Sequence, residues 1–310
     1  MRVPRPIVVN LDDSVSRQEW LGALADPRGA RILDLRDQTP KLRMVANRDA
    51  LGILSGRVAA AADRTGPNVF FLGSGDFHHL TYALLRDVAS PCTVIHFDNH
   101  PDWVRMPPLL TCATWVNWAL AIRNVVRVIT IGPCGHDLQR PQLKFANLTA
   151  IREGRLEVFA WRQPPSRLWG SRPVDGACVR TKGNRLYWRT LADEPWDDFV
   201  AELCARLPTD DVWITIDKDV LGEGEAVTNW DQGEMTLDQI LRAIARIAQR
   251  RRLLGVDVCG DYSPARFRDP LRAGISLFDR PFARPPRADA TAVNGRTNAR
   301  IVAALYEILG

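Results

Sequence analysis

The sequence predicts an α/β fold in which one mostly parallel, doubly wound sheet carries helices on both faces, giving three layers. Three observations support this prediction. Short apolar runs alternate with longer amphipathic runs along the chain, which is the order that successive βαβ units produce. Several short runs are β-branched and apolar at every position, as expected for strands covered on both faces. The length of 310 residues suits one large α/β domain and is short for two.

The individual elements follow from these runs in order. Strands are predicted from the apolar runs at 7–9, 31–35, 68–72, 93–97, 126–131, 156–160, 212–216 and 253–258. Helices are predicted from the amphipathic runs at 50–62, 79–88, 115–123, 194–206, 237–250 and 297–308. Thr236 is predicted to cap the helix that starts at 237, because Asp238 and Gln239 occupy its first turn.

Two stretches lack this regularity within a predicted domain of 1–310. The segment 160–193 combines prolines, glycines, tryptophans and many arginines, and we expect it to be an insertion that serves as a lid or a subunit contact. The segment 278–286 holds three prolines and predicts an extended surface loop.

The composition argues against several classes of partner. The net charge of +5 is modest, and the basic run 250–252 closes a predicted helix, where cations suit the helix dipole; we expect no nucleic-acid partner. The six cysteines form no Cys-x-x-Cys pair and are expected to be reduced thiols, which indicates the cytoplasm. No signal-peptide core or membrane-spanning stretch is visible, so we expect no membrane partner.

Acidic and histidine side chains follow two of the predicted strands. Asp98, His100 and Asp102 come after the run 93–97, and Asp217 and Asp219 end the run 212–216. Side chains two apart on a strand share a face, so each set is expected to converge. Carboxylates gathered at short range repel one another unless a cation neutralises them. Oxygen and imidazole ligands together suit manganese, iron or zinc, and the sequence therefore predicts a metal centre.

A simpler explanation exists for each motif alone. Aspartate, glycine and histidine are common where strands turn into loops, and a lone Asp-x-Asp is better explained in that way. Both motifs together, each behind a buried strand and with His78 and His79 behind a third strand, favour the metal centre.

These residues resemble the ureohydrolase family of arginase, agmatinase and formimidoylglutamase. The family carries Gly-Gly-Asp-His, Asp-Ala-His-x-Asp and Ser-x-Asp-x-Asp segments in that order. Their counterparts here are Gly75-Asp76-Phe77-His78, Asp98-Asn99-His100-Pro101-Asp102 and Thr215-Ile216-Asp217-Lys218-Asp219. Gly233-Glu234-Met235-Thr236 is similar to a later Gly-Gly-Leu-Thr stretch, and the segment 257–264 is similar to a late acidic one.

The resemblance implies an arginase-like fold with two divalent ions, which would be manganese or, as alternatives, zinc, iron or nickel. Asp98 and Asp217 would bridge the two ions. A histidine and an aspartate would complete each site: His78 and Asp102 for one ion, and His100 and Asp219 for the other. His79 is the rival of His78, because Phe77 interrupts the family's Asp-His pair. His78 is preferred since it keeps the family spacing to the following apolar helix.

The implied reaction is hydrolysis of a linear C–N bond in a guanidino or amidino compound by a hydroxide that the two metal ions share. Asp219 would relay a proton to the leaving nitrogen. Asp261 is either a carboxylate that holds the cationic substrate or a turn aspartate. Trp230 is predicted either to wall an aromatic pocket that favours a cation or to pack in the core. Lys218 is expected to be ion-paired behind the site, because strand alternation turns it away from the metals.

The sequence departs from the family pattern at Cys112. The family places a histidine-glycine pair there, whereas this chain has Cys112-Ala113. A thiol does not replace an imidazole as a proton shuttle, so Cys112 is an acid–base group, a pocket wall or a buried thiol. Two other functions stay open: a deacetylase-like zinc enzyme with one ion and Tyr262 as its tyrosine, and a non-catalytic metal-binding relative. Family habit also implies a homo-oligomer.

Overall fold

The computed structural model describes residues 4–24, 29–63, 65–170, 172–265, 267, 269–279 and 289–310. Within these residues the strands are β1 (Ile7–Asn10), β2 (Arg31–Asp34), β3 (Asn68–Phe71), β4 (Cys92–Phe97), β5 (Val125–Ile131), β6 (Leu156–Phe159), β7 (Ser166–Arg167), β8 (Val179–Lys182), β9 (Arg185–Trp188), β10 (Asp211–Asp217) and β11 (Arg252–Cys259). The helices are α1 (Thr39–Leu42), α2 (Arg48–Ala61), α3 (Thr81–Leu85), α4 (Trp115–Leu120), α5 (Leu148–Arg152), α6 (Trp196–Arg206), α7 (Leu237–Ala248), α8 (Pro270–Asp279) and α9 (Ala290–Leu309).

In this part of the chain an eight-stranded sheet forms the centre of the fold, with the order β2-β1-β3-β11-β10-β4-β5-β6. Every pairing within it is parallel. β4 and β10 are buried at every position, because helices cover the sheet: α2, α3 and α4 contact one another in series, as do α6, α7 and α9. The predicted three-layer α/β fold is confirmed.

α7 shows how sequence pattern becomes packing. Its buried residues Leu237, Ile240, Ala243, Ile244 and Ile247 recur at steps of three and four, which places them on one helical face. The predicted cap is present as a capping box, in which Thr236 accepts from the backbone of Gln239 and the Gln239 side chain accepts from the backbone of Thr236. The apolar face turns inward, where α7 contacts α6 and α9.

Three predicted elements differ from the structure. The helix expected at 79–88 is a 3₁₀ segment, Gly75–Leu80, followed by the short α3. The helix expected from 297 begins at Ala290, behind an Asp289 cap. The irregular segment 160–193 contains the antiparallel strands β7, β9 and β8, which periodicity did not indicate; its role as a lid or subunit contact stays a prediction. The loop expected at 278–286 falls largely outside the described residues.

The topology determines where ligands can bind. β3, β11, β10, β4 and β5 are consecutive neighbours in the sheet and all run in the same direction. The segments that follow these strands therefore meet at one edge of the sheet, where α/β folds bind ligands. None of the helices described is both long and apolar enough to span a bilayer.

Candidate metal centre

The two acidic motifs meet because their strands are neighbours. Phe97 at the end of β4 pairs with Ile216 near the end of β10, so Asp98 and Asp217 follow side by side. Each carboxylate accepts a hydrogen bond from the backbone two residues on, Asp98 from His100 at 2.6 Å and Asp217 from Asp219 at 3.0 Å. The same aspartates thus form the turns that end their strands and point their neighbours toward a common centre.

His78 faces three of the predicted aspartates. Its Nδ1 lies 3.0 Å from Asp98 Oδ2, 3.3 Å from Asp102 Oδ2 and 3.5 Å from Asp217 Oδ2. Asp102 reaches this group from a backbone φ of +47°, a left-handed conformation that aspartate adopts more readily than most residues. Three carboxylate oxygens therefore lie within 3.5 Å of one imidazole nitrogen. His78 belongs to two groups whose donor atoms lie close enough together to hold a metal ion, one with Asp98, Asp102 and His96 and the other with Asp217 and Cys259.

A second group adjoins the first through Asp98. His100 Nδ1 lies 2.9 Å from Asp219 Oδ2 and 3.5 Å from Asp98 Oδ1. Asp98 therefore presents one carboxylate oxygen to His78 and the other to His100. The structure thus brings together all six residues that the sequence proposed as ligands, although their role in binding metal stays a prediction.

The carboxylates of this cluster differ in how well the protein compensates their charges. Although burial opposes it, the charge of His96 and hydrogen bonds from His100 and His78 hold the pKa of Asp98 well below its usual value. Burial, with the charge of Asp98 as the next cause, raises the pKa of Asp102 to about 8. Burial also raises the pKa of Asp219 well above its usual value, assisted by Asp217 and Asp98. Buried carboxylates crowded in this way favour protons or a cation, and a divalent cation satisfies several of them at once.

The surroundings of the cluster fit a metal ion. Among the described residues, buried His78 Nδ1 makes no hydrogen bond of regular geometry although three carboxylates face it. Glycines make room for Asp217 on two sides: a Cβ would lie 2.7 Å from its Oδ2 at Gly75 and 2.4 Å from its Oδ1 at Gly260. Gly260 also has a φ of +90°, which glycine adopts without strain. Nitrogen and oxygen donors in this arrangement suit manganese, iron or zinc.

A hydrogen-bonded chain holds the opposite side of the His78 ring. Its Nε2 lies 2.9 Å from Thr215 Oγ1, and Thr215 donates to Asp257 Oδ1 at 2.8 Å. Trp213 and Thr81 also donate to this buried carboxylate, at 2.5 Å and 2.7 Å. Such contacts fix the orientation of a ligating imidazole and are typical of metal sites.

His79 is placed differently from His78. It is completely buried and does not line the cavity at the site. Burial, together with the charge of nearby His78, lowers the pKa of His79 to about 3. A neutral core histidine is the role that fits this position, so the placement favours His78 as the candidate ligand.

Two residues at the site were not predicted from the sequence. His96 Nε2 lies 2.7 Å from Asp98 Oδ2, and its Nδ1 lies 3.0 Å from Thr130 Oγ1. Strand alternation could have found it, because His96 precedes Asp98 by two residues. Cys259 Sγ lies 3.2 Å from Asp217 Oδ2. Cys259 could not be identified from a local pattern, because its position depends on the pairing of β11 with β10, which places Cys259 opposite Asp217.

A cavity of about 610 Å³ opens onto the cluster. Its floor includes His78, His100 and the four aspartates, and its walls include Trp230, Trp103 and Cys112. The centroids of the Trp230 and His100 rings lie 5.6 Å apart, with 66° between the ring planes. Cys112 is buried beside Met44 and Val45. Trp230 and Cys112 therefore both lie where a bound substrate would touch them.

Asp261 does not lie where substrate binding requires. It does not line the cavity; instead its Oδ1 lies 2.8 Å from Lys218 Nζ and accepts from Gln18 at 2.6 Å, all within the protein interior. This buried position argues against the predicted role of Asp261 as the carboxylate that holds the substrate, and it favours a structural role. The same pair matches the expectation for Lys218, which turns away from the cluster and is ion-paired behind it.

Comparisons with known proteins identify the family and the fold. The family model described as Arginase family matches residues 5–268. Formimidoylglutamase from Bacillus subtilis is 12% identical with a TM-score of 0.60, and covers 100% of this chain and 88% of its own. Arginase from Bacillus cereus is 15% identical with a TM-score of 0.57, at 99% and 98% coverage. Agmatine ureohydrolase of Thermoplasma volcanium is 12% identical with a TM-score of 0.53, at 98% and 90% coverage.

A curated relative matches part of the chain. An uncharacterized protein of Thermotoga maritima is 29% identical over 199 residues, which are 64% of this chain and 60% of the relative. The chain thus spans about 60% of the length of the curated relative it matches. At identities below 25%, the solved structures above establish the shared fold alone.

Proposed function

This chain belongs to the arginase family, and on that premise we propose that it is a metal-dependent hydrolase of linear C–N bonds in guanidino or amidino compounds. The observation that carries the proposal is the shared carboxylate of Asp98, whose two oxygens face His78 and His100. A carboxylate so placed suits two neighbouring cations, whereas a structural aspartate in a turn needs only one backbone partner.

The proposed ligands form two sets that share Asp98 and Asp217. His78 and Asp102 complete one set, and His100 and Asp219 complete the other. We propose manganese as the metal, with zinc, iron or nickel as alternatives, because the donors are carboxylate oxygens and imidazole nitrogens. Two such cations supply a hydrolytic nucleophile at neutral pH by lowering the pKa of water.

The protein's own residues would bind the substrate and move its proton. Asp219 lines the cavity beside His100 and is the proposed carrier of a proton to the leaving nitrogen. The Trp230 ring stands at the same place, where an aromatic face can hold a planar cation. Cys112 is proposed as a wall of the substrate pocket, since it lies among apolar neighbours on the cavity surface.

The position of Tyr262 separates this proposal from a deacetylase-like mechanism. That mechanism needs a tyrosine hydroxyl over the metal, and Tyr262 was the tyrosine that the sequence offered. It is absent from the described residues that line the cavity. The four aspartates and two histidines also exceed what one zinc ion requires, and both points favour the hydrolase with two ions.

Turnover by metal-loaded protein tests the proposal. Purified protein given manganese is expected to release urea or ammonia from at least one of arginine, agmatine, guanidinobutyrate, formiminoglutamate and guanidine. Asp217→Asn is the matched control, since it keeps the size of the side chain and removes one shared charge. Silence of the wild-type protein across the panel, at full metal occupancy, would favour a non-catalytic metal-binding relative. The cytoplasmic location and the homo-oligomer stay predictions.

A further inference from the structure

The mouth of the cavity is unusually apolar for this chain. Met106, Leu143 and Phe145 all line the cavity and are 45%, 50% and 62% exposed. Only five other large apolar side chains of the described residues are exposed to a similar degree, and these are Ile32, Ile53, Val126, Trp169 and Tyr187. Exposed apolar surface concentrated at a pocket indicates a contact with something apolar.

The turn that carries Phe145 places this residue at the mouth of the cavity. Its φ is +54°, because Phe145 occupies the left-handed position that closes the turn 141–146, where the backbone N–H of Ala146 donates to the carbonyl of Pro141 and that of Phe145 donates to the carbonyl of Gln142. The conformation is held in place, because the carbonyl of Phe145 accepts from the backbone of Arg105 at 2.9 Å. This bond also places Phe145 next to the segment that carries Met106.

The polar groups around the mouth are already engaged with one another. Lys144 Nζ lies 2.6 Å from Asp137 Oδ1, so each of these charges already has an opposite partner at the mouth. His136 Nδ1 lies 2.6 Å from Gln139 Nε2. Deeper in the wall, Thr114 Oγ1 donates to the Leu109 carbonyl at 3.0 Å.

Asp231 is the remaining charged group at the mouth. It is exposed and lines the cavity. Its negative charge repels a carboxylate, and the described lining offers a carboxylate no unpaired lysine or arginine. Among the described residues, the exposed charge of Asp231 and the pairing of Lys144 with Asp137 thus favour a substrate tail without a carboxylate.

We propose that the substrate joins its guanidinium or amidinium head to an apolar tail without a carboxylate, and that Met106, Leu143 and Phe145 bind this tail. The proposal rests on the proposed function for the position of the head. The tail would cover the apolar mouth, and removing that surface from water supplies the binding free energy.

Calorimetric binding to the manganese-loaded protein tests the inference with three compounds that share a guanidinium: phenethylguanidine, agmatine and 4-guanidinobutyrate. Phenethylguanidine is expected to bind about tenfold more tightly than the other two. Met106→Ala and Phe145→Gly, the latter compatible with the positive φ, are each expected to weaken the binding of phenethylguanidine several-fold and to weaken that of agmatine by a smaller factor. Ile53→Ala, which removes an exposed apolar side chain that does not line the cavity, is the control and is expected to change the binding of neither compound.

The outcomes separate this inference from the proposed function. Equal or tighter binding of agmatine or 4-guanidinobutyrate, or no binding of any compound, would overturn the apolar tail. If agmatine binds as tightly as phenethylguanidine and is hydrolysed, the apolar tail is wrong and the proposed function is supported. If phenethylguanidine binds most tightly but no guanidino compound is hydrolysed, the result supports an apolar ligand tail and contradicts the proposed hydrolase activity.

Discussion

The ion pair behind the candidate metal centre gives the sharpest test of how the site is supported. Lys218 and Asp261 are 0% and 1% exposed, with 2.8 Å between Nζ and Oδ1. Lys218 also donates to Asn298 in α9 at 3.0 Å, and Asp261 accepts from Gln18 at 2.6 Å. The pair therefore joins the loop after β10 to the last helix and to the amino-terminal region.

Asp261→Ala is expected to be strongly destabilising. It leaves the Lys218 ammonium buried with the neutral Asn298 side chain as its remaining side-chain acceptor among the described residues, and an uncompensated buried charge costs about 3–5 kcal/mol. Lys218→Met combined with Asp261→Leu removes both charges and keeps similar volume, so this double variant is expected to be more stable than Asp261→Ala. Glu234→Ala breaks the exposed pair with Arg162 and is expected to cost less than about 1 kcal/mol.

Urea unfolding of chelator-treated protein measures these differences without a contribution from bound metal. Steady-state kinetics on the folded variants, with manganese restored, measures KM separately. A loss below about 1 kcal/mol for Asp261→Ala, combined with a raised KM, would refute the structural role. That result would instead return Asp261 to substrate binding.

Three further predictions concern the cluster itself. His78→Ala is expected to lower metal content, whereas His79→Ala leaves it nearly intact and mainly lowers stability; elemental analysis of both variants would reveal the reverse order if the assignment is wrong. Gly260→Ala is expected to displace the Asp217 carboxylate, because its Cβ would lie 2.4 Å from Oδ1, and so to weaken manganese binding by titration calorimetry; unchanged affinity would contradict this. In metal-free protein, the folded-state pKa of about 8 for Asp102 exceeds the usual 3.8. At this carboxyl the folded state then binds more protons than the unfolded chain between these values, so the free energy of unfolding that Asp102 contributes, measured as the difference from Asp102→Asn, should fall as the pH rises from about 4 to about 8. Urea titrations at several pH values check this sign, and a rise across that window would exclude it.

The sheet and the meeting of the two acidic motifs could be predicted from sequence. The runs 93–97 and 212–216 are apolar on both faces, which indicates covered parallel strands. In such sheets the carboxyl ends lie at one edge, so Asp98 and Asp217 were expected close together. Strand alternation also predicted correctly that Lys218 would turn away from the cluster.

Other features depend on contacts that no local pattern contains. The sequence did not reveal that Asp261 is hydrogen-bonded inside the protein, because its partner Gln18 is 243 residues away in the chain. The sequence placed the start of α9 too late, because Asn294, Thr297 and Asn298 interrupt the apolar periodicity of this helix. These polar residues are buried and bonded to other segments. Tertiary hydrogen bonds make them compatible with a core that periodicity treats as apolar.

The central claim is that Asp98 and Asp217 hold two divalent ions between them and their neighbours. Elemental analysis of freshly purified wild-type protein and of Asp217→Asn tests it most directly, with a thermal-unfolding scan as a check that the variant is folded. The account predicts about two manganese-class ions per wild-type chain and a large loss in the folded variant. Wild-type protein that binds no divalent ion when given manganese, or a variant that keeps its full metal content, would contradict it.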